Sequence, residues 1–476
     1  MPLILSGNVA SAAAGAYEVA NSCMFNAADS VRLYKTGSTG NRRTWTWSCW
    51  LKRCTLGGDG DHLIFGASSD DFSTDYLDIS FTSADKINIQ DYQGSEALRY
   101  LTTRVFRDVS AWMNIVIRVD TTQGTASNRL RIYINGVEET AFDTETDPSE
   151  DAELLVNKNV VHQVGGRTGA YGGLYMAECV LIDGSSLAPT SFGEFNSDSP
   201  TIWQPIDVSG LTFGTNGFYL DFEASGNLGN DANGGTDLTE DNLAATDQMT
   251  DSPTNNFAVL NPLRKHVQVL SEGNLELTSN TTSAYDGSLS TIGTSKGKWY
   301  CEVQYSSLNG SSWTFYTGMA DARDFTITNR VGQSASGRVG DTIGNLPHNT
   351  SPDVLKNGSD AGGSWSTFTS VGDIMGMAMD CDNGALYFSK NGVWENSSDP
   401  ESGDSKTGAM EFTVGETYMF GGAVYGDSGA QQQFNFGNPI VSLTSGNADA
   451  NGYGNFEFEV PDGYYAICTK NLAEEG

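Results

Sequence analysis

Apolar and polar residues alternate in short runs along most of this chain. Clear examples are the runs 76–81, 113–119, 130–134 and 176–182. Alternation with a period of two predicts β-strands that have one buried face and one polar face. No window keeps the helical period over several turns, so the pattern predicts a nearly all-β protein.

The sequence pattern of one strand pair in the first half is repeated in the second half. The run 112–120 ends in Asp120 and is followed by a strand that leads into Asn135-Gly136, and the run 371–380 ends in Asp380 before a strand that leads into Asn391-Gly392. Asn-Gly tolerates the positive φ angles of a tight hairpin. The repeated pattern predicts two tandem antiparallel β-sandwich domains.

Changes in composition along the 476 residues predict five segments. Residues 1–20 form an N-terminal arm, which we expect to be ordered only where a partner holds it. Residues 21–223 and 263–440 form the two sandwiches. The intervening residues 224–262, rich in Asp, Asn and Gly, read as a linker, and residues 441–476 form a tail with a final strand at 455–460.

The charge balance is strongly acidic. Asp and Glu total 59 against 26 Lys and Arg, which gives a formal net charge of -33. Such a surface repels phosphate backbones and anionic lipids, so we expect no nucleic acid and no membrane among the partners. The chain also has no apolar stretch long enough to cross a bilayer.

The cysteine content indicates a reducing environment during assembly. Seven cysteines are spread over both halves, and an odd number with wide spacing is not typical of a disulfide framework. We therefore expect buried free thiols and assembly in a cytoplasm.

Several motifs resemble known families. In the first half, Trp45-Thr-Trp-Ser-Cys-Trp-Leu-Lys52, the run 106–112 and the run 131–136 resemble the laminin-G/concanavalin-A-like jelly rolls of phage tail proteins. In the second half, the run 297–303, the run 372–394 and Phe434-Asn-Phe-Gly437 resemble a SPRY domain. The connector 247–262 and the tail 460–472 resemble segments that recur beside these modules in marine phage virion proteins. The resemblance implies a structural or fibre protein of a bacteriophage virion with a lectin-like fold, and it names no ligand.

Two motifs offer candidate chemistry. Glu145-Thr-Asp-Pro-Ser-Glu150 matches the acidic string of concanavalin-like glycoside hydrolases, but Pro148 argues against a strand interior, so we predict a solvated loop, no catalytic residues and no enzyme. Asp231-Ala-Asn-Gly-Gly-Thr-Asp237 loosely resembles a calcium loop without matching the EF-hand spacing. We expect no cofactor, no other metal, and structural calcium only as a possibility at this loop.

Aromatic residues beside turns are the remaining signal of binding. Tyr171, Trp313 and Trp365 each lie close to glycines in loops, where an aromatic ring can stack on a sugar or anchor a protein. The predicted function is therefore attachment by a tail fibre or similar appendage that binds a host-surface glycan or protein. We expect its partners to be other virion proteins and further copies of the chain in a homo-oligomer. A decoration protein of the capsid or tail without a receptor, and a polysaccharide-degrading enzyme, are the alternatives.

Overall fold

The computed structural model describes residues 4–5, 17–58, 61–265, 269–279, 286–308, 314–324, 331–333, 339–347, 352–425 and 429–476. The chain forms two compact units. The N-terminal unit is Ala12–Thr254, and the C-terminal unit is Asn255–Gly476 together with Met1–Ser11. Both units consist of β-sheets with mainly antiparallel pairing, which confirms the predicted fold class.

Strand β1 (Ile4–Leu5) belongs to the C-terminal unit, and the N-terminal unit begins its strands with β2. The strands of the N-terminal unit are β2 (Ser22–Phe25), β3 (Arg32–Thr36), β4 (Thr44–Arg53), β5 (His62–Ser68), β6 (Asp75–Phe81), β7 (Ile87–Gln93), β8 (Glu96–Thr102), β9 (Met113–Asp120), β10 (Leu130–Ile134), β11 (Val137–Glu139), β12 (Phe142–Thr146), β13 (Val161–Val164), β14 (Gly166–Arg167), β15 (Ala170–Tyr171), β16 (Leu174–Asp183), β17 (Gly193–Phe195), β18 (Trp203–Pro205), β19 (Phe218–Leu220), β20 (Thr239–Asp241) and β21 (Gln248–Met249). Short 3-10 helices lie at Ala27–Asp29, Ala126–Asn128, Pro189–Ser191 and Ala245–Asp247.

Two sheets face each other in this unit. Sheet A has the order β11-β10-β9-β4-β16-β2-β21, with β19 beside β16, and sheet B has the order β12-β8-β7-β6-β5-β13-β3-β20. Alternate residues of facing strands, such as Trp47 of β4 and Phe65 of β5, meet in the core with stacked rings 4.3 Å apart. Each buried side chain of this size contributes about 1.5–3 kcal/mol. The alternation seen in the sequence therefore becomes the interior of a sandwich.

The outward side of sheet A is also apolar, and an irregular segment covers it. Val116 and Val180 point away from the core, where they pack with Phe192, Val208 and Phe213 of the segment after β16. This segment accounts for apolar residues that the pattern of strands alone leaves unassigned.

Residues 224–262, predicted as a linker, are instead divided between the two units. Strand β20 pairs with β3 and strand β21 pairs with β2, while Leu228 and Leu238 are buried in the sandwich core. A few well-spaced apolar residues in a polar sequence are enough to fix this segment. The end of the predicted linker lies in the C-terminal unit, where Ala258, Val259 and Leu260 are fully buried.

The C-terminal unit contains the remaining strands. These are β22 (Leu260–Lys265), β23 (Val269–Ser271), β24 (Glu276–Thr278), β25 (Asp286–Ser290), β26 (Ile292–Gly293), β27 (Lys298–Ser307), β28 (Thr314–Asp321), β29 (Thr342–Leu346), β30 (Asp353–Lys356), β31 (Ser359–Asp360), β32 (Ile374–Asp380), β33 (Ala385–Lys390), β34 (Val393–Trp394), β35 (Met410–Glu411), β36 (Tyr418–Tyr425), β37 (Gln431–Asn435) and β38 (Tyr465–Ala466). The 3-10 helices Glu272–Asn274 and Pro400–Ser405 and the helix α1 (Thr469–Glu475) complete the unit.

Sheet C has the order β22-β25-β36-β28-β29-β30-β31, and sheet D has the order β23-β24-β37-β27-β32-β33-β34, with β35 beside β33 and β38 beside β27. Both predicted Asn-Gly hairpins are present: Asn135 and Gly136 have φ angles of 50° and 75°, and Asn391 and Gly392 have 46° and 79°. Strand β1 pairs in parallel with β26, so part of the predicted arm is a strand of this unit. The described helices include none that is long and apolar enough to cross a membrane.

The tail is a third layer of the C-terminal unit. Phe456, Tyr464 and Ala466 pack on Tyr300 and Tyr387, which point away from the core on sheet D. The predicted strand at 455–460 is wrong, because these residues have no ladder beyond one bridge of Phe456 to residue 447. The strand of the tail is β38, which runs parallel to β27. All seven cysteines are buried and free, as the sequence predicts.

Candidate functional site

The outward side of sheet B is polar where strands β6, β7 and β8 adjoin. Leu77 and Ile79 of β6 and Ile89 of β7 lie in the core, so the residues between them project from the opposite side of the sheet. The ladder places Asp78 beside Gln90 and Gln90 beside Arg99. We call this surface the polar face, and its members are Tyr76, Asp78, Ser80, Asn88, Gln90, Tyr92 and Arg99.

Several polar atoms of this face are buried and lack a hydrogen-bond partner among the described residues. They are Asp78 Oδ1, Ser80 Oγ, Asn88 Oδ1 and Arg99 Nε, joined by Arg167 Nε of the adjacent hairpin. Asp78, Ser80 and Asn88 are only 4%, 0% and 6% exposed. Buried polar groups are almost always hydrogen-bonded in native proteins, and leaving one unsatisfied costs about 1–3 kcal/mol. The described residues therefore leave this cluster without a full set of hydrogen bonds.

Asp78 has the electrostatics of a site residue. Burial raises the pKa of its carboxyl to about 6, and the nearby Ser80 hydroxyl and then the positive charge of Arg167 oppose that rise. Arg167 Nε lies 3.6 Å from Asp78 Oδ2, which is too long for a good hydrogen bond. Asp78 Oδ1 therefore keeps acceptor capacity that the described residues do not use.

Aromatic rings lie beside these polar groups. Tyr76 and Tyr92 stack with ring centroids 5.7 Å apart and an interplanar angle of 18°, and Phe72 lies 6.0 Å from Tyr76. All three side chains are half-buried. A flat, partly exposed aromatic surface next to hydrogen-bonding groups can bind a molecule that has an apolar face and a polar edge.

The loop before β6 holds Phe72 in an uncommon conformation. Phe72 has a φ of 60°, in the left-handed region that a bulky residue rarely adopts. Asp70 fixes this loop, because its carboxylate accepts from the Thr74 hydroxyl and from the backbone N–H groups of Ser73, Thr74 and Asp75. The same hydrogen bonds, that of the Thr74 side chain first, lower the pKa of Asp70 to about 2. Gly66 leaves room for the Phe72 ring, since a Cβ there would lie 2.7 Å from it.

The hairpin of β14 and β15 supplies Arg167 and contains the predicted site residue Tyr171. The Arg167 guanidinium lies 4.8 Å from the centre of the Phe72 ring. Tyr171 pairs with Gly166, and its backbone oxygen is 3.3 Å from His62 Nδ1. The sequence pattern singled out Tyr171 beside a turn but missed Arg167 of the same hairpin, the residue that reaches the polar face. An arginine two residues before the turn glycine was the available signal.

The other predicted aromatic residues are not part of this face. Trp365 lies in the C-terminal unit, where its Nε1 donates to the Gly362 oxygen at 2.9 Å and its ring packs edge-on against Phe388. It folds back onto its own unit and is half-buried. Trp313 lies outside the described residues.

The acidic string 145–150 spans a strand end and a turn. Glu145 is exposed on β12, the edge strand of sheet B, and is not in a loop as predicted. The Asp147 carboxylate accepts from the Tyr100 hydroxyl, and Glu150 is exposed and forms an ion pair with Arg129 at 3.4 Å. These contacts give each acid a separate structural environment.

The loop 231–237 already has a cation beside it. Lys35 Nζ lies 3.5 Å from the Thr236 backbone oxygen, and the charges of Asp231 and Asp237 favour its protonated form, although burial lowers the pKa of Lys35 overall. Asp231 also accepts from the backbone N–H groups of Tyr219 and Asn233. Across the residues described above, no cluster of three or more His, Cys, Asp or Glu side chains has the arrangement of a metal site.

A polar cleft of about 510 Å³ opens elsewhere on the N-terminal unit. It lies at the end of sheet B where β3 leaves Thr36, opposite to the end that bears the β14–β15 hairpin, because Val161 of β13 pairs with Thr36 and Val164 pairs with Leu33. Its three cations are paired: Arg42 with Glu153 at 3.1 Å, Arg43 with Asp151 at 3.4 Å, and Lys158 with Asp75 at 2.7 Å. The cleft therefore lacks the unsatisfied groups that mark the polar face.

Comparisons with known proteins agree with the fold. Residues 25–170 match the model of the concanavalin A-like lectin/glucanases superfamily that includes laminin-G-like domains. The N-terminal unit is thus similar to a lectin-like laminin-G/concanavalin-A-like domain. A comparison with curated proteins found no match.

Solved structures found to be similar include proteins of three animals. The human HERC1 SPRY domain has 15% identity and a TM-score of 0.28, covering 37% of this chain and 96% of that one. The heptameric SAP-like pentraxin of Limulus polyphemus has 12% identity and a TM-score of 0.27, covering 36% and 80%. Domains LG4-5 of the mouse laminin alpha1 chain have 9% identity and a TM-score of 0.29, covering 86% and 85%.

Proposed function

We propose that the chain is a carbohydrate-binding protein and that the polar face of the N-terminal unit is its binding surface. The observation that carries this proposal is the cluster of buried, unsatisfied polar atoms of Asp78, Ser80 and Asn88 beside the stacked rings of Tyr76 and Tyr92. A sugar offers a partner for both kinds of group on this surface. Its hydroxyl groups can hydrogen-bond to the polar atoms, and its apolar ring face can stack on the aromatic rings.

The donors and acceptors of the face suit a hydroxyl-rich sugar without strong negative charge. Asp78 and Asn88 can accept from hydroxyl groups, whereas Arg99 and Arg167 can donate to them. The net charge of -33 repels a densely anionic polymer at long range. We therefore expect neutral or weakly charged polysaccharides to bind best.

Binding of the full chain to an array of neutral and acidic glycans tests this proposal, followed by titration calorimetry on the best ligand. We expect Tyr76→Ala and Tyr92→Ala each to weaken binding at least about tenfold, equivalent to about 1.4 kcal/mol. Tyr453→Ala is the matched control, because Tyr453 is a half-buried tyrosine of the C-terminal unit. Unchanged affinity in both polar-face variants would rule out this surface.

The biological setting is part of the same proposal. The connector and tail resemble segments of marine phage virion proteins, and this supports a virion appendage, such as a tail fibre, that is assembled in the host cytoplasm. Its partners would then be other virion proteins, further copies of the chain and a host-surface glycan. Labelled electron micrographs of particles test this setting: label at the tail tip supports attachment, and label over the whole shell supports decoration.

We propose that the chain is not an enzyme. Glu145 and Glu150 have separate environments, and Glu150 is engaged by Arg129. Release of reducing sugar from host polysaccharide by the wild-type chain, with loss of that activity in a Glu145→Gln/Glu150→Gln variant, would show the opposite.

A further inference from the structure

Lys52 and Asp251 form an ion pair that differs from the other lysine pairs of the described residues. Lys52 Nζ lies 2.7 Å from Asp251 Oδ2, and both side chains are fully inaccessible to solvent. The pairs of Lys158 with Asp75 and of Lys298 with Asp380 have partly exposed lysines. Burying two charges away from water is costly, and their mutual attraction offsets this only in part.

The surroundings hold both groups in one orientation. Lys52 lies on β4 opposite Tyr175 of β16, and its Nζ is 5.7 Å from the centre of the Tyr175 ring. Trp112 Nε1 donates to Asp251 Oδ1, the second oxygen of the carboxylate, at 2.8 Å. The Ser22 hydroxyl donates to the backbone oxygen of Asp251 at 2.6 Å. The amine nitrogen is thus held beside one carboxylate oxygen while an N–H group polarises the other.

We propose that Lys52 and Asp251 condense to an amide, so that an isopeptide bond links β4 to the end of the N-terminal unit. The proton passes from Lys52 Nζ to Asp251 Oδ2, and the neutral amine then attacks Asp251 Cγ. The new C–N bond forms, the C–Oδ2 bond breaks, and Oδ2 leaves as water with one hydrogen from the amine. No oxidant or other reactant is needed.

Trp112 has a defined role in this step. Negative charge develops on Oδ1 as the nitrogen adds to Cγ, and the indole N–H is already placed to stabilise it. The same N–H then donates to the amide oxygen of the product. The reaction removes two buried charges and replaces them with one neutral, hydrogen-bonded group, which is the physical reason for it to proceed in this site.

The position of the proposed bond suits it to carry mechanical tension. Lys52 and Asp251 are 199 residues apart in sequence, and Asp251 precedes the boundary of the unit at Thr254 by three residues. Tension applied to the chain beyond Thr254 would otherwise be resisted by the short pairing of β21 with β2. The amide would carry it directly to β4, a ten-residue strand within sheet A.

Intact mass spectrometry of the full chain under denaturing conditions is the test. We expect a mass below that of the sequence by about 18 Da, the mass of one water, and a branched peptide in a digest that joins the segments containing Lys52 and Asp251. The full sequence mass would overturn the proposal, because the pair would then be ionic only. A loss of water found on a linear peptide, as in a succinimide, would overturn it as well.

Lys52→Arg is the informative variant, because arginine keeps the positive charge and cannot form this amide. We expect its mass to equal the value calculated from its sequence. Lys158→Arg is the matched control, since Lys158 also lies 2.7 Å from an aspartate but is partly exposed, and this variant should retain the loss of water. Should Lys52→Arg fail to fold, the wild-type mass and the branched peptide still decide the question.

Discussion

The outward faces of two sheets, sheet B in the N-terminal unit and sheet D in the C-terminal unit, each bury a carboxylate. On sheet D, Glu302 is 2% exposed and accepts from the backbone N–H groups of Glu457 and Phe458 at 2.9 Å and from the Tyr300 hydroxyl at 3.1 Å. On sheet B, Asp78 is 4% exposed and its Oδ1 has no such donor in the part of the chain that the structure describes. The chain supplies hydrogen-bond donors to both oxygens of Glu302, whereas the described residues supply none to Asp78 Oδ1.

The difference shows that a shifted pKa alone does not identify a site. Burial raises the pKa of both Glu302 and Asp78. The two carboxylates differ in the hydrogen-bond donors that they receive from the chain. Only Asp78 has an oxygen without a donor among the described residues. Glu302 therefore helps to dock the tail, whereas the unused acceptor of Asp78 is the basis of the binding that we propose for the polar face.

The tail should be essential to the C-terminal unit, and its removal is the largest expected effect. A chain that ends at residue 440 would expose Tyr300, Ala378 and Tyr387, which Phe456 and Tyr464 now cover. Since each large apolar side chain contributes about 1.5–3 kcal/mol, we expect the C-terminal unit to lose its cooperative unfolding transition. Calorimetry of the full and truncated chains measures this, with the transition of the N-terminal unit as internal control. A C-terminal transition that survives truncation would show that the tail is dispensable.

Glu302→Ala should destabilise the C-terminal unit by about 2–5 kcal/mol, because two backbone N–H groups and a hydroxyl lose their acceptor while still buried. Urea denaturation of the full chain, followed by tryptophan fluorescence, provides the measurement. The control is Glu459→Ala, which removes an exposed carboxylate of the same tail. An effect below about 1 kcal/mol would mean that the tail does not depend on this carboxylate.

The sequence predicted the parts of the fold that follow from local patterns. The alternation of β6, β9 and β16 and both Asn-Gly hairpins are local features, and the structure contains them. The linker and the tail were assigned by composition, but Leu238 and Phe456 are buried through contacts that are distant in sequence. The polar face was missed for the same reason: Asp78, Asn88 and Arg99 become neighbours only through strand register, and Arg167 reaches them from a hairpin.

Asp78→Asn should change how stability depends on pH. The native pKa of about 6 lies above the ordinary value of 3.8, so the native state binds more protons than the unfolded state between these values. Stability contributed by Asp78 is therefore greatest at low pH and falls as pH rises from about 4 to 6, by up to about 2–3 kcal/mol. We expect Asp78→Asn to remove this fall and to leave the N-terminal unit equally or more stable at neutral pH.

Asp91 provides the matched control for Asp78. Burial also raises the pKa of Asp91 to about 6, but its carboxylate accepts from the Leu155 backbone N–H and the Gln93 amide, both at 2.8 Å. Asp91→Asn should also remove a fall in stability between about pH 4 and 6, but it should destabilise the unit at neutral pH, since the new amide presents a donor to these donors. Urea denaturation at a series of pH values compares the variants, and equal destabilisation by both would show that Asp78 has partners after all.

Arg167→Met should have the smallest effect, and it tests whether the hairpin tunes the polar face. The charge of Arg167 lowers the pKa of Asp78, so its loss should raise that pKa further and extend the fall in stability to higher pH. The variant also loses the packing on Phe72, which does not depend on pH, so the informative quantity is the difference in stability between pH 5 and pH 8. We expect this difference to grow by less than about 1 kcal/mol. In the Asp78→Asn background the same substitution should leave the difference unchanged, whereas an increase there would assign the effect to a group other than Asp78.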